Sequence, residues 1–257
     1  MSELTDFDLT GQVVVVTGGG RGIGRAIATD VARAGATVLA CSRTKSELDS
    51  LAQDIGEFGG ECRVEVANLE ERDEIERLIG TTVESFGRID GLVNNAGFNK
   101  FADAVHYTAE DVDQLIDFNL KSVYWACVFA ARKMIEQDKG GSIVNITSQA
   151  GVVGAPGRAP YSAAKAGVNN LTRTLAAEWG PRQIRVNAVA PTVTLTPLAR
   201  EVMKQRPEFE EETKSRILLG RLAEVREMSL PTVFLLSPAA SMVTGHVLVV
   251  DGGWTIV

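Results

Sequence analysis

Short runs of apolar, largely β-branched residues recur along the chain, and helical patterns separate them. The first run, Gln12–Thr17, is almost entirely apolar, which is typical of a strand buried on both faces. Comparable runs lie near Thr37–Cys41, Cys62–Val66, Ile89–Asn94, Ser142–Thr147, Ile184–Val189 and Val247–Val250. This alternation predicts an α/β fold with a doubly wound parallel sheet and helices on both faces.

The helical patterns between these runs carry apolar residues at helical spacing. Within Glu70–Phe86, the apolar positions fall on one stripe and acidic residues occupy the first turn, where they complement the helix dipole. Further helices are expected near Ile23–Ala34, Ala109–Gln137 and Tyr161–Trp179. Because no repeat or linker interrupts the alternation, we expect residues 1–257 to form a single domain.

One segment, Thr194–Leu219, departs from the alternation. It is long, charged and helix-prone, and it contains Pro197 and Pro207. Long insertions in compact domains are often lids or binding loops, and this one follows a predicted strand end. We therefore expect a substrate lid at about residues 194–219, with a pair of surface helices as the alternative.

The composition of the chain argues against nucleic-acid, membrane and metal binding. The chain of 257 residues is 45% hydrophobic and 23% charged, with a net charge of −7. It has no cluster of basic residues, so we expect neither nucleic acid nor an anionic membrane as a partner. The three cysteines and two histidines are scattered, which argues against a metal site. The absence of an apolar leader or of a long apolar run predicts a cytoplasmic protein.

The candidate chemistry centres on Tyr161 and Lys165, four residues apart, and on Ser148, thirteen residues before Tyr161. Four residues are about one helical turn, so the phenol and the ammonium share a helix face. A neighbouring positive charge lowers the pKa of a tyrosine, and moving it from about 10 to about 7 requires roughly 4 kcal/mol from the surroundings. On spacing alone, most such pairs are solvated neighbours, so the rest of the chain must decide.

The first predicted strand ends in a glycine-rich turn, Thr17–Gly24, that leads into a helix. The turn departs from the strict G-x-G-x-x-G pattern of dinucleotide sites. Its context is nevertheless right, because glycines let the backbone approach a pyrophosphate and a helix N-terminus offers unpaired N–H groups. The turn predicts nucleotide binding, and a purely structural turn is the alternative.

With these motifs, the chain resembles the short-chain dehydrogenase/reductase family in its compact single-domain form. The resemblance covers almost the whole sequence, and its motifs occur in a fixed order. They are Thr17–Gly24, Asn94–Gly97, Asn119 within Phe118–Lys121, Ser148, the Tyr161/Lys165 pair and Val249–Gly253. The resemblance implies a Rossmann-type sheet of seven strands and NAD(P)-dependent interconversion of a carbonyl and a secondary alcohol.

The resemblance also implies roles for four catalytic residues. Tyr161 would exchange a proton with the substrate oxygen, and Ser148 would hold that oxygen. Lys165 would lower the pKa of the phenol and bind the nicotinamide ribose, while Asn119 would help to hold a water that relays protons. Cofactor contacts are expected from Gly18, Arg21, Gly22, Ile23, Gly24, Ser42, Arg43, Asn68, Leu69, Asn95, Ala96, Gly97, Tyr161, Lys165, Thr194 and Thr196.

The end of the second predicted strand indicates which nicotinamide cofactor is used. An acid there would bind the ribose 2′-hydroxyl of NAD, but the strand ends in Ser42 and Arg43. Arg43 and Arg21 are candidates to pair with a 2′-phosphate, which guanidinium groups bind well. We therefore expect NADP(H) to be preferred and NAD(H) to remain possible; two solvated surface arginines are the alternative.

The substrate is expected to be a small molecule with a carbonyl or alcohol group. Its pocket should be walled by residues near Phe98, Gln149, Val152–Pro156, Tyr161, Thr192 and Leu198–Met203, with polar contacts from Asn99 and Arg158. A sugar or polyol, a small ketone and a 3-oxoacyl thioester all fit these mixed cues. Thr192 replaces the family's usual glycine, so we expect the backbone there to be shaped differently.

Three rival interpretations remain. A non-enzymatic dinucleotide sensor would not need Ser148, Tyr161 and Lys165 together. An enoyl reductase of this kind spaces its tyrosine and lysine more widely, and an epimerase or dehydratase usually needs a longer C-terminal domain. By resemblance, the helices near Ala109–Gln137 and Tyr161–Trp179 would pair across a two-fold axis, which predicts a homotetramer, with a dimer as second choice.

Overall fold

The computed structural model describes residues 5–206 and 208–256. Its strands are β1 Val13–Thr17, β2 Thr37–Ser42, β3 Cys62–Val66, β4 Gly91–Asn94, β5 Gly141–Ile146, β6 Ile184–Pro191 and β7 Val247–Val250. Its α-helices are α1 Gly22–Arg33, α2 Lys45–Glu57, α3 Arg72–Phe86, α4 Ala109–Ile116, α5 Ser122–Gln137, α6 Ala159–Trp179, α7 Pro197–Gln205, α8 Glu208–Lys214 and α9 Arg226–Leu236. The order along the chain confirms the predicted alternation.

The strands of the described residues form one parallel seven-stranded sheet in the order β3-β2-β1-β4-β5-β6-β7. Alternate residues of each strand face opposite sides, so one strand contributes to two cores. On β1, Val15 packs with the cluster beneath α3, α5 and α6, whereas Val14 and Val16 pack with the cluster beneath α1, α2 and α9. This double burial explains why the central strand β1 is almost entirely apolar, whereas the edge strand β3 carries Arg63 and Glu65. The parallel sheet confirms the predicted fold class.

The predicted helix Ala109–Gln137 is wrong as a single α-helix. A π-helical turn, Asp117–Lys121, separates α4 from α5. Within it, the side-chain amide of Asn119 donates to the carbonyl oxygen of Leu115 at 3.0 Å and to that of Phe98 at 3.0 Å. The asparagine side chain thus occupies the Leu115 carbonyl that an α-helix would offer to the backbone N–H of residue 119.

The segment 194–219 folds into α7 and α8. It is tied to the rest of the chain by an isolated parallel bridge between Thr194 and Ala223. Thr196 begins α7 as its N-cap, and its hydroxyl accepts a hydrogen bond from the backbone N–H of Ala199 at 3.1 Å. The proposed lid role and the single-domain assignment stay predictions. In the part of the chain that the structure describes, no helix is both long and apolar enough to cross a membrane.

The chain order of the strands reverses between β1 and β4, which are neighbours in the sheet. In open parallel sheets, ligands bind in the crevice outside the carboxyl ends of the strands at such a point. The loops after β1, β4, β5 and β6 all leave the sheet at this edge. The topology therefore brings the glycine turn, the Asn95–Gly97 loop and Ser148 to one edge.

Candidate active site

A cleft of about 460 Å³ runs along this edge of the sheet. Most of the predicted site residues border it. They are Gly18, Arg21, Gly22, Ile23, Gly24, Ser42, Arg43, Leu69, Asn95, Ala96, Gly97, Ser148, Tyr161, Lys165 and Thr196. The structure therefore brings together, in one crevice, residues that are up to about 180 positions apart along the chain.

The glycine turn forms a cradle at the start of α1. Gly18 and Gly22 have φ angles of +66° and +58°, which favour glycine. A Cβ on Gly24 would collide with the carbonyl oxygen of Gly18, so the turn is closed tightly against itself. The cap residue Arg21 provides no side-chain hydrogen bond to the helix, and Gly22 and Ile23 face the cleft. This backbone suits a pyrophosphate, which needs close approach and free N–H donors.

The Asn95 loop is fastened to the glycine turn. The hydroxyl of Thr17 accepts hydrogen bonds from the backbone N–H groups of Asn95 at 3.0 Å and Ala96 at 3.1 Å. The side-chain amide of Asn95 donates to the carbonyl oxygens of Thr17 at 3.0 Å and Gly18 at 3.3 Å. These bonds set the spacing between the two loops that border the middle of the cleft.

The far end of the cleft, beyond the glycine turn, is bordered by Ser42, Arg43 and Arg21. Arg43 is exposed and forms no ion pair with any residue that the structure describes. Arg21 lies 3.9 Å from the carboxylate of Glu47, in the first turn of α2. The sequence analysis missed Glu47, although an acid in the first turn of the helix after β2 is a signal that could have indicated it. This end therefore combines two cations with one acid.

Three predicted residues lie away from the cleft surface. Asn68 accepts a hydrogen bond from the backbone N–H of Glu70 at 3.3 Å, while its neighbour Leu69 borders the cleft. Thr194 is buried and donates to the carbonyl oxygen of Thr192 at 3.0 Å. Asn119 lies behind Gly97. The cofactor contacts of Asn68 and Thr194 and the role of Asn119 stay predictions.

Ser148 lies just beyond the carboxyl end of β5. Its hydroxyl donates to Oε1 of Gln149 at 3.1 Å and accepts a hydrogen bond from the backbone N–H of Ala150 at 3.1 Å. The second bond caps the short 3-10 turn Gln149–Gly151 and holds the serine side chain in place. The hydroxyl is thus oriented by a backbone donor and remains on the cleft wall.

Lys165 is buried, with 3% of its surface exposed. Its ammonium donates to the carbonyl oxygen of Ile146 at 3.0 Å and lies 5.7 Å from the centre of the Tyr161 ring. Burial lowers the pKa of Lys165 from 10.5 to about 8, because removing water disfavours the charged form. The side chain nevertheless remains largely charged at neutral pH.

Burial raises the pKa of Tyr161, and this effect exceeds the opposing effects of the Ser148 hydroxyl and the positive charge of Arg158. The protein's own charges therefore do not produce the lowered pKa expected from the sequence, which also depended on a cationic cofactor ring. Desolvation outweighs the neighbouring charges here.

Asn119 is fully buried, and its Oδ1 has no hydrogen-bond donor among the described residues. This oxygen points past Gly97: a Cβ on Gly97 would lie 2.9 Å from it and 3.4 Å from Nζ of Lys165. Buried acceptors are rarely left without a donor, so the oxygen marks a polar position beside Lys165. Its two amide donors are already used in the π-helical turn, which fixes its direction.

The opposite end of the cleft, beside Tyr161, is bordered by Phe98, Asn99, Gln149, Arg158, Thr192 and Leu198. The expected contributions of Val152–Pro156 and of residues 199–203 are absent from the cleft lining among the described residues. Thr192 is buried and does not adopt a positive φ angle, so the glycine that usually stands there is not required by this backbone. In the described ranges, no group of three or more His, Cys, Asp or Glu residues is arranged to hold a metal.

Comparison with known proteins agrees with this architecture. The sequence model of a family described as enoyl-(acyl carrier protein) reductase matches residues 18–255. A 3-oxoacyl-(acyl-carrier-protein) reductase of Thermotoga maritima is 42% identical over 249 residues, covering 96% of this chain and 99% of the relative. A D-threitol dehydrogenase of Mycolicibacterium smegmatis is 38% identical, with 98% and 95% covered.

Solved structures give the same result. The crystal structure of a gluconate 5-dehydrogenase from Burkholderia cenocepacia, in complex with NADP and tartrate, superimposes with a TM-score of 0.93 at 32% identity, covering 98% of both chains. The chain belongs to the short-chain dehydrogenase/reductase family. It is an NAD(P)-dependent oxidoreductase that acts on CH–OH and C=O groups of small molecules.

Proposed function

We propose that this protein uses NADP(H) to interconvert a carbonyl and a secondary alcohol, with Tyr161 as the general acid and base. The observation that carries the proposal is the convergence of Ser148, Tyr161 and Lys165 on one cleft beside the Gly18–Gly24 cradle. A bound nicotinamide supplies or accepts the hydride at the substrate carbon.

The side chains of the cleft would bind the substrate oxygen and transfer the proton. Ser148, oriented by the backbone N–H of Ala150, would turn its hydroxyl proton from Oε1 of Gln149 to the substrate oxygen. Tyr161 would give its phenolic proton to that oxygen in reduction and take it back in oxidation. Lys165 would stabilise the phenolate, and the free Oδ1 of Asn119 would orient a water on the proton path to solvent. Lys165 is buried and Tyr161 is half-buried, which strengthens these charge interactions.

The proposed role of Tyr161 is tested by Tyr161→Phe, which removes only the hydroxyl. General acid–base catalysis typically contributes about 10²–10⁴-fold, so we expect a loss of that size in kcat with a carbonyl panel. NADPH binding, followed by its fluorescence, should be retained. The control is Tyr124→Phe, because Tyr124 is exposed on α5 and does not border the cleft. Unchanged turnover in Tyr161→Phe would refute the assignment.

The preference for NADP(H) rests on the residues at the far end of the cleft. The absence of an acid at the end of β2, and the two cations Arg21 and Arg43 on the cleft wall, favour a 2′-phosphate. Because Arg21 is already near the carboxylate of Glu47, we assign the larger part of the binding of the 2′-phosphate to Arg43. The gluconate 5-dehydrogenase relative contains NADP, which supports the proposal.

Arg43→Ala tests this preference. Charge-assisted hydrogen bonds contribute about 1.5–3 kcal/mol, so the affinity for NADPH should fall by about 10- to 150-fold. The affinity for NADH should change little. The exposed Arg182, after α6, offers a matched control as Arg182→Ala, because it lies away from the cleft. Equal losses for both cofactors in Arg43→Ala would remove the phosphate assignment.

The substrate belongs to the small carbonyl and alcohol compounds. The relatives named above act, by their names, on 3-oxoacyl thioesters, D-threitol and gluconate. The mixed lining near Tyr161, with Phe98 and Leu198 beside Asn99 and Gln149, accommodates a molecule with both apolar and polar groups. A panel of ketones, ketoses and oxoacyl thioesters is the appropriate screen.

The segment 194–219 is proposed to close over the substrate. Thr196 lies 3.2 Å from where a Cβ on Gly22 would stand, and Leu198 borders the cleft with 64% of its surface exposed. Tryptic cleavage after the exposed Lys204 should therefore slow when NADP(H) and a substrate analogue are added. An unchanged cleavage rate would contradict the lid role.

A homotetramer remains our proposal for the assembly, with a dimer as second choice. Exposed apolar side chains at Leu218, Leu219 and Ile256 support a second interface, besides the one expected between the long helices. Sedimentation velocity at micromolar concentration is the test, and a stable monomer would contradict it. Cytoplasmic residence stays a prediction of the sequence.

A further inference from the structure

Arg158 is a half-buried cation in the wall of the cleft. It stands three residues before Tyr161, at the N-cap of α6, and its carbonyl oxygen accepts a hydrogen bond from the backbone N–H of Ser162 at 2.8 Å. This bond fixes its backbone to the same helical turn that carries the phenol. The guanidinium borders the cleft together with Asn99 and Gln149.

The guanidinium of Arg158 has no hydrogen-bond acceptor within residues 5–206 and 208–256. Its Nε is buried without a partner. No side-chain hydrogen bond or ion pair joins the two Nη groups to a residue in these ranges, and the arginine as a whole lines the cleft and is only half-buried. Buried polar groups are normally satisfied, and charged ones almost always are. A guanidinium with open donors beside a reacting centre is therefore a candidate anion site.

The surroundings of Arg158 contain cations rather than acids. Arg158 forms no ion pair among the described residues. The acid that the described residues contribute to the cleft lining is Glu47, which lies at the opposite end, next to Ser42 and Gly20. Burial lowers the pKa of Arg158, and the positive charge of Arg216, after α8, adds to this effect. Arg216 itself stacks on Trp254 at 5.5 Å and has no carboxylate partner in the described ranges. Two neighbouring cations without a counter-ion attract an anion.

We propose that Arg158 binds a carboxylate of the substrate, so that the enzyme acts on oxo acids and the corresponding hydroxy acids. The proposal rests on the proposed function, because the carboxylate is placed relative to the oxygen that Tyr161 and Ser148 hold. A guanidinium presents paired N–H donors that match a carboxylate, which also fixes the orientation of the carbonyl carbon. Arg158 is thus a specificity-determining residue.

A structural role for Arg158 is the competing explanation. Its guanidinium stacks on the ring of Phe101 at 4.7 Å and links the loop after β4 to the start of α6. Phe101 is itself 51% exposed, so the stack shields little apolar surface. The chain offers a matched control in Arg63, which stacks on Phe86 at 5.0 Å and does not border the cleft. Arg63→Gln removes an arginine–phenylalanine stack without touching the substrate.

The first experiment compares oxo acids with their primary amides as substrates, at saturating NADPH. The wild type should prefer the acid of each pair. Arg158→Gln should lower kcat/KM for the acids by about 10- to 150-fold, mainly through KM, since a charge-assisted bond is lost. The amides should lose only the effect of the Arg158 charge on Tyr161, so their loss should be at least about tenfold smaller than that of the acids, and Arg158→Lys should restore part of both losses. Arg63→Gln should affect neither class.

The second experiment does not depend on turnover. Titration calorimetry of glutarate and glutaramide into the protein with NADP⁺ should show binding of the diacid alone and its loss in Arg158→Gln. Equal binding of the two compounds, no binding of either, or equal losses for acids and amides in Arg158→Gln would overturn the proposal. If glutarate binds through Arg158 but no carbonyl compound is reduced, the proposed function fails while the anion site stands.

Discussion

Lys165 should reduce the stability of the protein at neutral pH. Its ammonium is buried, and its pKa falls from 10.5 to about 8. At 1.36 kcal/mol for each pH unit, this difference corresponds to about 3 kcal/mol of destabilisation by the buried charge. The hydrogen bond from Nζ to the carbonyl oxygen of Ile146 contributes about 1 kcal/mol in the opposite direction. Lys165→Met should therefore stabilise the chain by about 2 kcal/mol at pH 7.

The sign of this effect must change with pH. Below about pH 8, folded and unfolded chains both carry the proton, so the cost of the buried charge is fully present. Between about pH 8 and 10.5 the unfolded chain binds more protons, so the wild type gains stability as pH rises. The advantage of Lys165→Met should shrink across this window and end as a small disadvantage, because the hydrogen bond to Ile146 is missing.

Urea unfolding of both chains from pH 6 to above 10.5, without nucleotide and at one protein concentration, measures this difference. The control is Lys139→Met, because Lys139 is exposed and forms no ion pair with a described residue. The electrostatic reasoning fails if Lys165→Met is less stable at pH 7, or if its advantage does not vary with pH. Activity should be lost in the variant in either case, which would make Lys165 a residue kept for function at a cost in stability.

Three further outcomes are expected. Because burial raises the pKa of Tyr161, its phenolate absorbance, obtained as the difference between wild type and Tyr161→Phe, should appear only above pH 10.0 without nucleotide; ionisation near neutrality would contradict this. Gly24→Ala should place a methyl group against the Gly18 carbonyl and abolish NADPH binding, and fluorescence titration showing unchanged affinity would disprove the cradle. Thr17→Val leaves the backbone N–H of Asn95 without its acceptor, so urea unfolding should show a loss of about 1–3 kcal/mol, whereas an unchanged midpoint would contradict it.

The fold and the centre of the site followed from local patterns. The central strand β1 is apolar on both faces because it supplies two cores, and that signal is carried by the residues themselves. Tyr161 and Lys165 were identifiable because one helical turn fixes their relation. The glycine turn was identifiable because Gly18 and Gly22 adopt φ angles that other residues disfavour.

The remainder depends on contacts between distant segments, which spacing does not reveal. At the break Asp117–Lys121, the Asn119 amide occupies the Leu115 carbonyl and also donates to Phe98, 21 residues earlier in the chain. Whether Arg158 is paired or free depends on which acids reach it in space, and its sequence neighbours do not specify that. The pKa of Tyr161 likewise reflects burial, which outweighs the charges that the sequence indicated.

The π-helical turn before α5 makes the position of Asn119 depend on the number of residues and not only on their identity. Deleting one residue from Asp117–Lys121 would restore a regular helix and rotate the preceding segment by about 100° relative to α5. A point substitution at Asn119 changes the side chain but leaves the rotation between the preceding segment and α5 unchanged. Insertions and deletions in this turn would therefore move the Asn119 side chain relative to Lys165 without replacing either residue.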